Sequence, residues 1–492
     1  MTLQQLLGVQ FPIIQAPMAG FQASEMAIAV SGAGGLGSLP CALLNFHAMQ
    51  TELTAIRART DKPFNVNFFF QSTFVHSQGR DILLHRCMPE LPVETWSTIF
   101  QFVIQLDDTL SSRTKLLRIN QYWRNIATTT PKLWTHLYIH ATNTSPVQFH
   151  LKNSGSLPLD IQIKLLRSSA RDRSALTKIL AEHLSRIRLL EINVPEHYGA
   201  DKLIAQLGCG QSAPILESIC IQVKNQPRDP VPSFASLHYA FSSTPRLARL
   251  SLPAYPLPKP TCPLFSSSAL TDLILDAIPF GANINEDMIF ATITALKNLQ
   301  SFTFKSSDIF SYCDASTFPN IDAPHLVSVD VSAPGWGLDI LGTFHAPLLT
   351  CVRFDALREY HIDRIPMYTE PISTSLRLLS QRSPHIKQLE LCGTVLHQPE
   401  EDYQWLFGTA FPLLEVLRFE ETDITDDLME LGAKRMPSLI MLELSACKCV
   451  SGPGLFSFLQ LREKNVSTCS RRVSPHYGRC CGGPFKSYHS TI

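Results

Sequence analysis

The chain has 492 residues, of which 45% are hydrophobic and 17% charged, so it is long enough for several domains and apolar enough to bury their cores. Its 42 basic and 42 acidic side chains give no formal net charge, which argues against a nucleic acid or an anionic membrane as the main partner. The first basic residue is Arg57, and no apolar run reaches the ~20 residues of a spanning helix. With 13 scattered cysteines, these features predict an intracellular protein, cytoplasmic or nuclear, with reduced thiols.

Residues 1–70 predict five short elements in the order strand, helix, strand, helix, strand. Apolar runs closed by proline or glycine favour strands, and helical spacing of apolar residues favours the two helices. The predicted elements lie at 13–14, 25–30, 36–39, 47–59 and 64–68. This order is that of a βαβαβ segment with parallel strands.

The glycines at 32–37 spell G-x-G-x-x-G, the pattern of a dinucleotide-binding loop. That fingerprint requires a helix to open at its last glycine, so that phosphate meets the helix N-terminus. Pro40 removes a backbone donor at that place. The favoured interpretation is therefore the end of one helix followed by a strand.

Three motifs in this region, PIIQAPMAG, VSGAGGLGSL and DKPFNVNFF, resemble the N-terminus of nitronate monooxygenases, which are flavin-dependent (β/α) barrels. The resemblance implies that the backbone around Pro17, Met18 and Ala19, together with the Asn67 side chain, would meet the ring of FMN. It covers residues 1–70 only, whereas a barrel active site is assembled from loops after all eight strands. We therefore expect a partial barrel without bound cofactor, with no catalytic residues and no enzymatic activity.

Residues 71–88 show no clear period and are predicted to be a linker, and residues 89–140 then predict a small helical module. The module resembles an F-box of the form common in mushroom-type fungi, at 91–94 (LPVE), 123–124 (WR) and 131–134 (PKLW). The Val-Cys pair that often precedes the central tryptophan is replaced here by Ile119-Asn120.

The F-box resemblance implies that an apolar helical face binds the Skp-type linker protein of a cullin-RING (SCF-type) ubiquitin ligase. The side chains expected to face that partner are Leu91, Pro92, Ile99 and Phe100. Trp123 and Trp134 are expected in the core of the module. The alternative is a plain helical bundle without a partner.

One apolar template, φ-x-x-φ-x-φ, recurs ten times from residue 185 onward, and the repeat domain is predicted at 141–461. The copies begin at Ile187, Leu216, Leu247, Leu270, Leu299, Leu326, Leu349, Ile386, Leu414 and Leu439. Their spacing ranges from 23 residues (247 to 270) to 37 (349 to 386), which is typical of leucine-rich repeats. Because one repeat cannot bury its own face, the copies are predicted to stack into an irregular solenoid.

Charged residues occupy the position between the last two apolar residues of the final five copies. They are Asp330, Arg353, Glu390, Arg418 and Glu443. Side chains alternate across a strand, so these five are expected on the opposite face from the core. We predict a target-binding stripe, with an ordinary solvated face as the alternative.

The last segment, 462–492, is rich in Ser, Gly, Arg and Cys and is predicted to be disordered. Its adjacent cysteines, Cys480 and Cys481, lack the two-residue spacing of zinc sites, so no metal is expected.

The chain is thus predicted to be an α/β multidomain protein, with a partial (β/α) barrel, then a helical F-box, then a leucine-rich-repeat solenoid. The leading functional hypothesis is a substrate receptor that links an unknown target protein to a ubiquitin ligase. The alternative is an FMN-dependent nitronate monooxygenase in truncated form. A third possibility is a fusion of neighbouring genes or a wrongly joined transcript.

Overall fold

The structure, a computed structural model, describes residues 4, 7–16, 23–41, 44–67, 92–106, 110–140, 144–164, 170–208, 210–224, 237–276, 286–306, 320–333, 337–356, 372–394 and 399–466. It divides into two compact units, Met1–Ala127 and Thr128–Ile492. The predicted linker at 71–88 lies outside the described residues, as do Leu91 and residues 17–19. No helix in the described ranges is long and apolar enough to cross a membrane.

The N-terminal part of the first unit has the predicted βαβαβ order. Its elements are α1 (Ser24–Gly32), β1 (Gly37–Pro40), α2 (Phe46–Arg59) and β2 (Phe64–Asn67). β1 and β2 pair in parallel, and the first predicted strand is reduced to a single bridge between Ile14 and Leu36. The core of this part is small, consisting of Ala27, Leu39, Cys41, Met49, Leu53 and Ile56.

The glycine run at 32–37 ends α1 and begins β1, and no helix opens there, which agrees with the favoured interpretation of this motif. At Gly37 the strand approaches the helix so closely that an added Cβ would lie 2.1 Å from the Ala27 carbonyl oxygen. Gly37 therefore allows close packing of the helix against the strand.

Three helices follow in the first unit: α3 (Val93–Leu106), α4 (Leu110–Ile119) and α5 (Gln121–Thr128). Asn120, which replaces a cysteine of the F-box pattern, lies between α4 and α5. Its Oδ1 accepts a hydrogen bond of 2.7 Å from the Trp123 backbone N–H. Asn120 therefore caps α5, where asparagine is a favoured residue.

The second unit alternates strands with helices and turns along the chain. Its helices are α6 (Thr144–Asn153), α7 (Ala170–Ala181), α8 (His197–Gly208), α9 (Glu286–Ala295), α10 (Gly337–Thr343), α11 (Ile372–Arg382), α12 (Pro399–Trp405), α13 (Asp426–Arg435) and α14 (Gly452–Val466). Its strands are β3 (His136–Ile139), β4 (Leu159–Lys164), β5 (Ile187–Val194), β6 (Gln211–Ser212), β7 (Ser218–Val223), β8 (Phe241–Ser243), β9 (Arg249–Ser251), β10 (Asp272–Leu275), β11 (Ser301–Lys305), β12 (Ile321–Asp322), β13 (Ser328–Ser332), β14 (Phe344–His345), β15 (Cys351–Asp355), β16 (Gln388–Cys392), β17 (Val416–Glu420) and β18 (Met441–Ser445).

One parallel sheet of twelve strands runs through this unit, in the order β3-β4-β5-β7-β9-β10-β11-β13-β15-β16-β17-β18. The two pairs β6–β8 and β12–β14 form separate small sheets. Each of the ten predicted repeat copies contributes one strand to the large sheet. Their middle apolar positions lie opposite one another, at Leu190, Ile219, Leu250, Leu273, Phe302, Val329, Val352, Leu389, Leu417 and Leu442. The inward residues form one continuous core.

The sheet begins earlier than predicted, because β3 and β4 precede the first predicted copy. β3 lies inside the segment assigned to the F-box, so the predicted boundary at residue 140 is wrong. Trp134 is buried, but its ring packs edge-on against Phe149 and His150 of α6, in the second unit. The far boundary also moves: α14 continues to Val466, and Arg462 donates a hydrogen bond of 2.6 Å to the Met436 carbonyl. Residues 467–492 of the predicted tail lie outside the described residues.

Candidate partner-binding surfaces

An aromatic cluster fixes α3 against α5 in the first unit. The ring centroids of Trp96 and Phe100 each lie 4.9 Å from that of Trp123, and 5.9 Å from each other. Trp96 and Phe100 are four residues apart and so share one face of the helix. Both are buried, Phe100 completely, whereas Trp123 is half-buried.

A second face of α3 is apolar and exposed. Ile99, Phe102 and Val103 follow the spacing i, i+3, i+4 and lie together on the helix surface. Phe102 is 60% exposed, Ile99 36% and Val103 41%, and Pro92 just before the helix is exposed as well. We call Ile99, Phe102 and Val103 the α3 apolar face.

The predicted linker-binding residues are therefore only partly placed as expected. Pro92 and Ile99 are exposed, but Phe100 is not, so its assignment to a partner surface is wrong. Its ring fills the space beside Trp123, because consecutive helical residues point in directions about 100° apart. Phe102 was missed, although its position three residues after Ile99 was a sufficient signal in the sequence.

The five charged residues predicted as a target-binding stripe lie side by side on β13, β15, β16, β17 and β18. Arg353 lies between two acids, with Nη1 4.0 Å from Asp330 Oδ2 and Nε 3.2 Å from Glu390 Oε1. Arg418 likewise has Nη1 3.6 Å from Glu390 Oε2 and Nε 2.6 Å from Glu443 Oε2.

Lys305 on β11 extends this row, with Nζ 3.3 Å from Asp330 Oδ2. We call Lys305 together with the five charged residues the charge ladder. Its alternating signs place opposite charges on neighbouring strands, which stabilises the sheet where like charges would destabilise it. The members of the charge ladder are thus paired with one another on neighbouring strands. A role of the ladder in target binding stays a prediction.

Cys392 lies beside the charge ladder, between Glu390 and Glu420. The three side chains offer ligand atoms within 4.8 Å of one another, a spacing compatible with a metal ion. Burial raises the pKa of the Cys392 thiol to about 12, and the neighbouring carboxylates act in the same direction. The thiol donates a hydrogen bond of 3.6 Å to Glu420 Oε2. In the structure the three side chains form a hydrogen-bonded contact.

Of the four positions that the nitronate monooxygenase resemblance assigns to FMN, the described residues include Asn67 alone. It is the last residue of β2 and pairs with Pro40 of β1. The two paired strands of this part are not the eight-stranded ring whose loops hold flavin in such a barrel. The expectation that no FMN is bound stays a prediction.

Comparison with known sequences shows a similarity over the N-terminal quarter of the chain. The family model for nitronate monooxygenase matches residues 1–122. Nitronate monooxygenase of Paraburkholderia phytofirmans is 51% identical over 67 residues, which are 14% of this chain and 18% of that protein. The enzyme of Pseudomonas aeruginosa is 49% identical over 65 residues, or 13% and 18%.

Among solved structures, a leucine-rich repeat-containing protein of Legionella pneumophila is similar to 67% of this chain and 97% of its own, with 15% identity and a TM-score of 0.36. The family match reaches α3 and α4, so it overlaps the segment that resembles an F-box. The chain spans about a fifth of the length of the two curated relatives. Residues 1–122 thus carry a nitronate monooxygenase-like region, followed by a large parallel sheet built from repeats.

Proposed function

We propose that the protein is a binding protein without catalytic activity of its own, a substrate receptor of an SCF-type ubiquitin ligase. In this proposal α3 binds the Skp-type linker, and the repeat sheet binds a target protein. The observation that carries it is the α3 apolar face, which stays exposed while the aromatic cluster holds another face of the same helix in place.

The α3 apolar face favours binding of a partner because it exposes apolar area on a helix that is held in place. Three large apolar side chains within five residues expose surface to water that a partner could cover, which is favourable by the hydrophobic effect. Their i, i+3, i+4 spacing is how an amphipathic helix enters an apolar groove. The aromatic cluster orders the helix beforehand, which lowers the entropic cost of binding.

The proposal is tested with purified linker protein and two single variants of the full chain, Ile99→Asp and Phe102→Asp. Truncating or charging an apolar interface anchor commonly costs ~2 kcal/mol or more, so each variant should bind at least about thirtyfold more weakly. Gln101→Asp is the matched control, since it adds the same charge to the same turn while position 101 points away from position 99.

Circular dichroism must first show that all three variants are folded. If folded Ile99→Asp and Phe102→Asp bind the linker as tightly as the parent, the proposal that the α3 apolar face binds the linker is wrong. Phe100→Ala should behave differently, because it removes a buried ring and its loss of binding should follow loss of structure.

The second candidate is FMN-dependent nitronate oxidation, which the 51% identity over 67 residues favours. Since two strands do not make a flavin-binding barrel, we predict that purified protein shows no flavin absorption and does not consume oxygen with nitronates. A flavin spectrum at near-stoichiometric occupancy would decide for this candidate. The two experiments are independent, because one measures binding of the linker to α3 and the other measures bound flavin and oxygen consumption.

A further inference from the structure

The two ends of the twelve-stranded sheet are covered differently. At the first edge the inward residues of β3, Leu137 and Ile139, are buried in the core. At the last edge the equivalent residues of β18, Leu442 and Leu444, are only partly buried. Their counterparts on β17, Leu417 and Phe419, are almost completely buried. A repeat array needs its terminal face covered, and the described residues cover this face only in part.

The backbone of β18 also presents hydrogen-bonding groups at this edge. Met441 N–H donates to the Glu415 carbonyl, and the Ser445 carbonyl accepts from Glu421 N–H, so both residues point toward the preceding repeat. Backbone groups alternate in direction along a strand of a parallel sheet. The N–H and C=O groups of Leu442 and Leu444 therefore point outward, toward the open edge, where another strand could pair.

The charge ladder ends at this edge with a charge that is matched on one side only. Asp330 and Glu390 each lie between two cations on neighbouring strands. Among the described residues, Glu443 has an ion pair with Arg418 alone, and it is 49% exposed against 19% for Glu390. The next position in the alternation is that of a cation.

Apolar side chains are exposed around the same end of the sheet. They belong to the last strand and its preceding residue, and to the helix that follows, and they are Ile440, Met441, Leu455, Phe456 and Leu459. Isolated exposed apolar residues are ordinary, but several in the terminal repeat beside an unpaired edge provide area for a partner to cover.

We propose that the open edge of β18 binds an extended segment of a target protein as a thirteenth strand, with a basic residue between two apolar residues at its centre. The basic side chain lies opposite Glu443 and completes the alternation of the charge ladder, while the apolar residues lie opposite Leu442 and Leu444 and cover them. Because this three-residue pattern is the same in both directions, it holds for a parallel or an antiparallel strand. The inference deepens the target-binding role proposed above and rests on it.

A second copy of this chain is a poorer occupant of the same edge. A two-fold pairing of β18 with itself that places Leu442 opposite Leu444 also places Glu443 opposite Glu443. Like charges directly opposite each other on neighbouring strands are destabilising, whereas a lysine or arginine at that position is favourable.

The test uses the full chain and short fluorescent peptides with the cores Thr-Val-Lys-Val-Thr and Thr-Val-Glu-Val-Thr, measured by anisotropy. The lysine peptide should bind the parent at least about tenfold more tightly than the glutamate peptide, since a favourable cross-strand charge pair becomes a repulsive one. The variant Glu443→Lys should reverse this preference. Glu430→Lys, the same change at a half-buried position on α13, should bind both peptides as the parent does.

Two N-methylated forms of the lysine peptide, one methylated at the valines and one at the lysine and threonines, test for backbone pairing. Only alternate N–H groups of an added strand face β18, so one form should lose binding and the other keep it. The proposal is overturned if the two methylated forms bind as tightly as the unmethylated lysine peptide. It is also overturned if the lysine and glutamate peptides bind equally tightly to the folded parent and to folded Glu443→Lys. Self-association of the parent that Glu443→Lys leaves unchanged would also overturn it, in favour of a second copy. None of these outcomes alters the linker-binding result for α3, so the two proposals fail separately.

Discussion

The two regions that contain parallel strands, the β1–β2 pair and the twelve-stranded sheet, differ in how their strands are covered. In the repeat sheet an interior strand has a neighbour on each side, and its inward residues, such as Val352 and Phe354 of β15, are fully buried. In the N-terminal region Phe64 and Val66 of β2 are only partly buried, and Ile13 and Ile14 are exposed. A parallel strand is stable when both its faces and both its edges are covered.

Sequence similarity to a known protein and the size of the buried core are therefore separate properties of the two regions. The N-terminal region is 51% identical to a known enzyme over 67 residues, but the core among its described residues has only six members. One continuous core instead runs through the repeat sheet. Stability grows with the apolar area buried, so we expect the repeat sheet to dominate the unfolding of the chain.

The largest effect is expected from one core substitution in each region. Phe354→Ala changes the core of the repeat sheet, and Leu39→Ala changes the core of the N-terminal region. Both side chains are fully buried. Removing a buried phenylalanine commonly costs about 3–5 kcal/mol, so Phe354→Ala should lower the midpoint of the main unfolding transition in urea. Leu39→Ala should leave that transition in place, because it loosens only the small N-terminal core. If Leu39→Ala shifts the main transition as much as Phe354→Ala does, the two regions unfold together and the contrast between them is wrong.

Asp160→Asn tests how the first strands of the repeat sheet are held together, since Asp160 on β4 contacts His136 of β3 and Arg188 of β5. Its carboxylate accepts hydrogen bonds of 2.9 and 2.6 Å from Arg188, and His136 Nε2 lies 2.9 Å away. A hydrogen bond to a charged group contributes about 1.5–3 kcal/mol, so the variant should be destabilised by that amount at neutral pH.

The same variant gives a pH dependence with a definite sign. Burial raises the pKa of the Asp160 carboxyl, but the hydrogen bonds from His136 and Arg188 outweigh it and hold the pKa below its ordinary value of 3.8. A carboxyl with a lowered pKa stabilises the fold above its ordinary value, and this is lost as the pH falls through the folded value. The gap in urea midpoint between parent and variant should therefore be constant near neutrality and shrink below pH 3.8. A gap that does not change with pH would show that the ionised carboxylate is not responsible.

The order of elements in both regions could be predicted from the sequence because it depends on local patterns. The ten repeat copies were recognisable because the last two apolar positions of the template are apolar in each copy. The charged residues between these two positions lie on the opposite face of neighbouring strands, as expected for alternating side chains. The first two strands were missed because Pro158 stands where β4 would have its first apolar residue. Trp134, which leads into β3, had been assigned to the F-box instead.

Features that depend on distant neighbours could not be predicted in this way. Ile99 and Phe100 are adjacent and equally apolar, and only the position of Trp123 decides that Phe100 is the buried one. The pairing of Arg353 with both Asp330 and Glu390 likewise follows from strand register across loops of unequal length. Sequence indicates which residues share a face, whereas the partners on that face come from the fold.

Gly37→Ala tests the packing of α1 against β1 in the N-terminal region. An added Cβ would lie 2.1 Å from the Ala27 carbonyl oxygen, so α1 must move away from β1. Such overpacking commonly costs about 1–3 kcal/mol. Hydrogen exchange should become faster across residues 24–40 while the repeat strands keep their protection. Gly32→Ala is the matched control, because nothing lies within 4 Å of its added Cβ. Unchanged exchange in Gly37→Ala would contradict the close approach of the helix to the strand.

The smallest expected effect concerns the turn that follows each of the last three strands of the sheet. Gly393, Glu421 and Ala446 come directly after β16, β17 and β18 and have φ values of 62°, 50° and 53°, in the left-handed region. Glycine adopts this conformation freely, whereas a residue with a Cβ is strained there by roughly 1–2 kcal/mol. Ala446→Gly should therefore raise the free energy of unfolding by about 0.5–1 kcal/mol, after the greater entropy of glycine in the unfolded chain is subtracted. Ala433→Gly, the same substitution inside α13, should lower it by about 0.5–1 kcal/mol. Opposite signs for the two variants in urea unfolding are expected, and a loss of stability in both would show that the last turn is not strained.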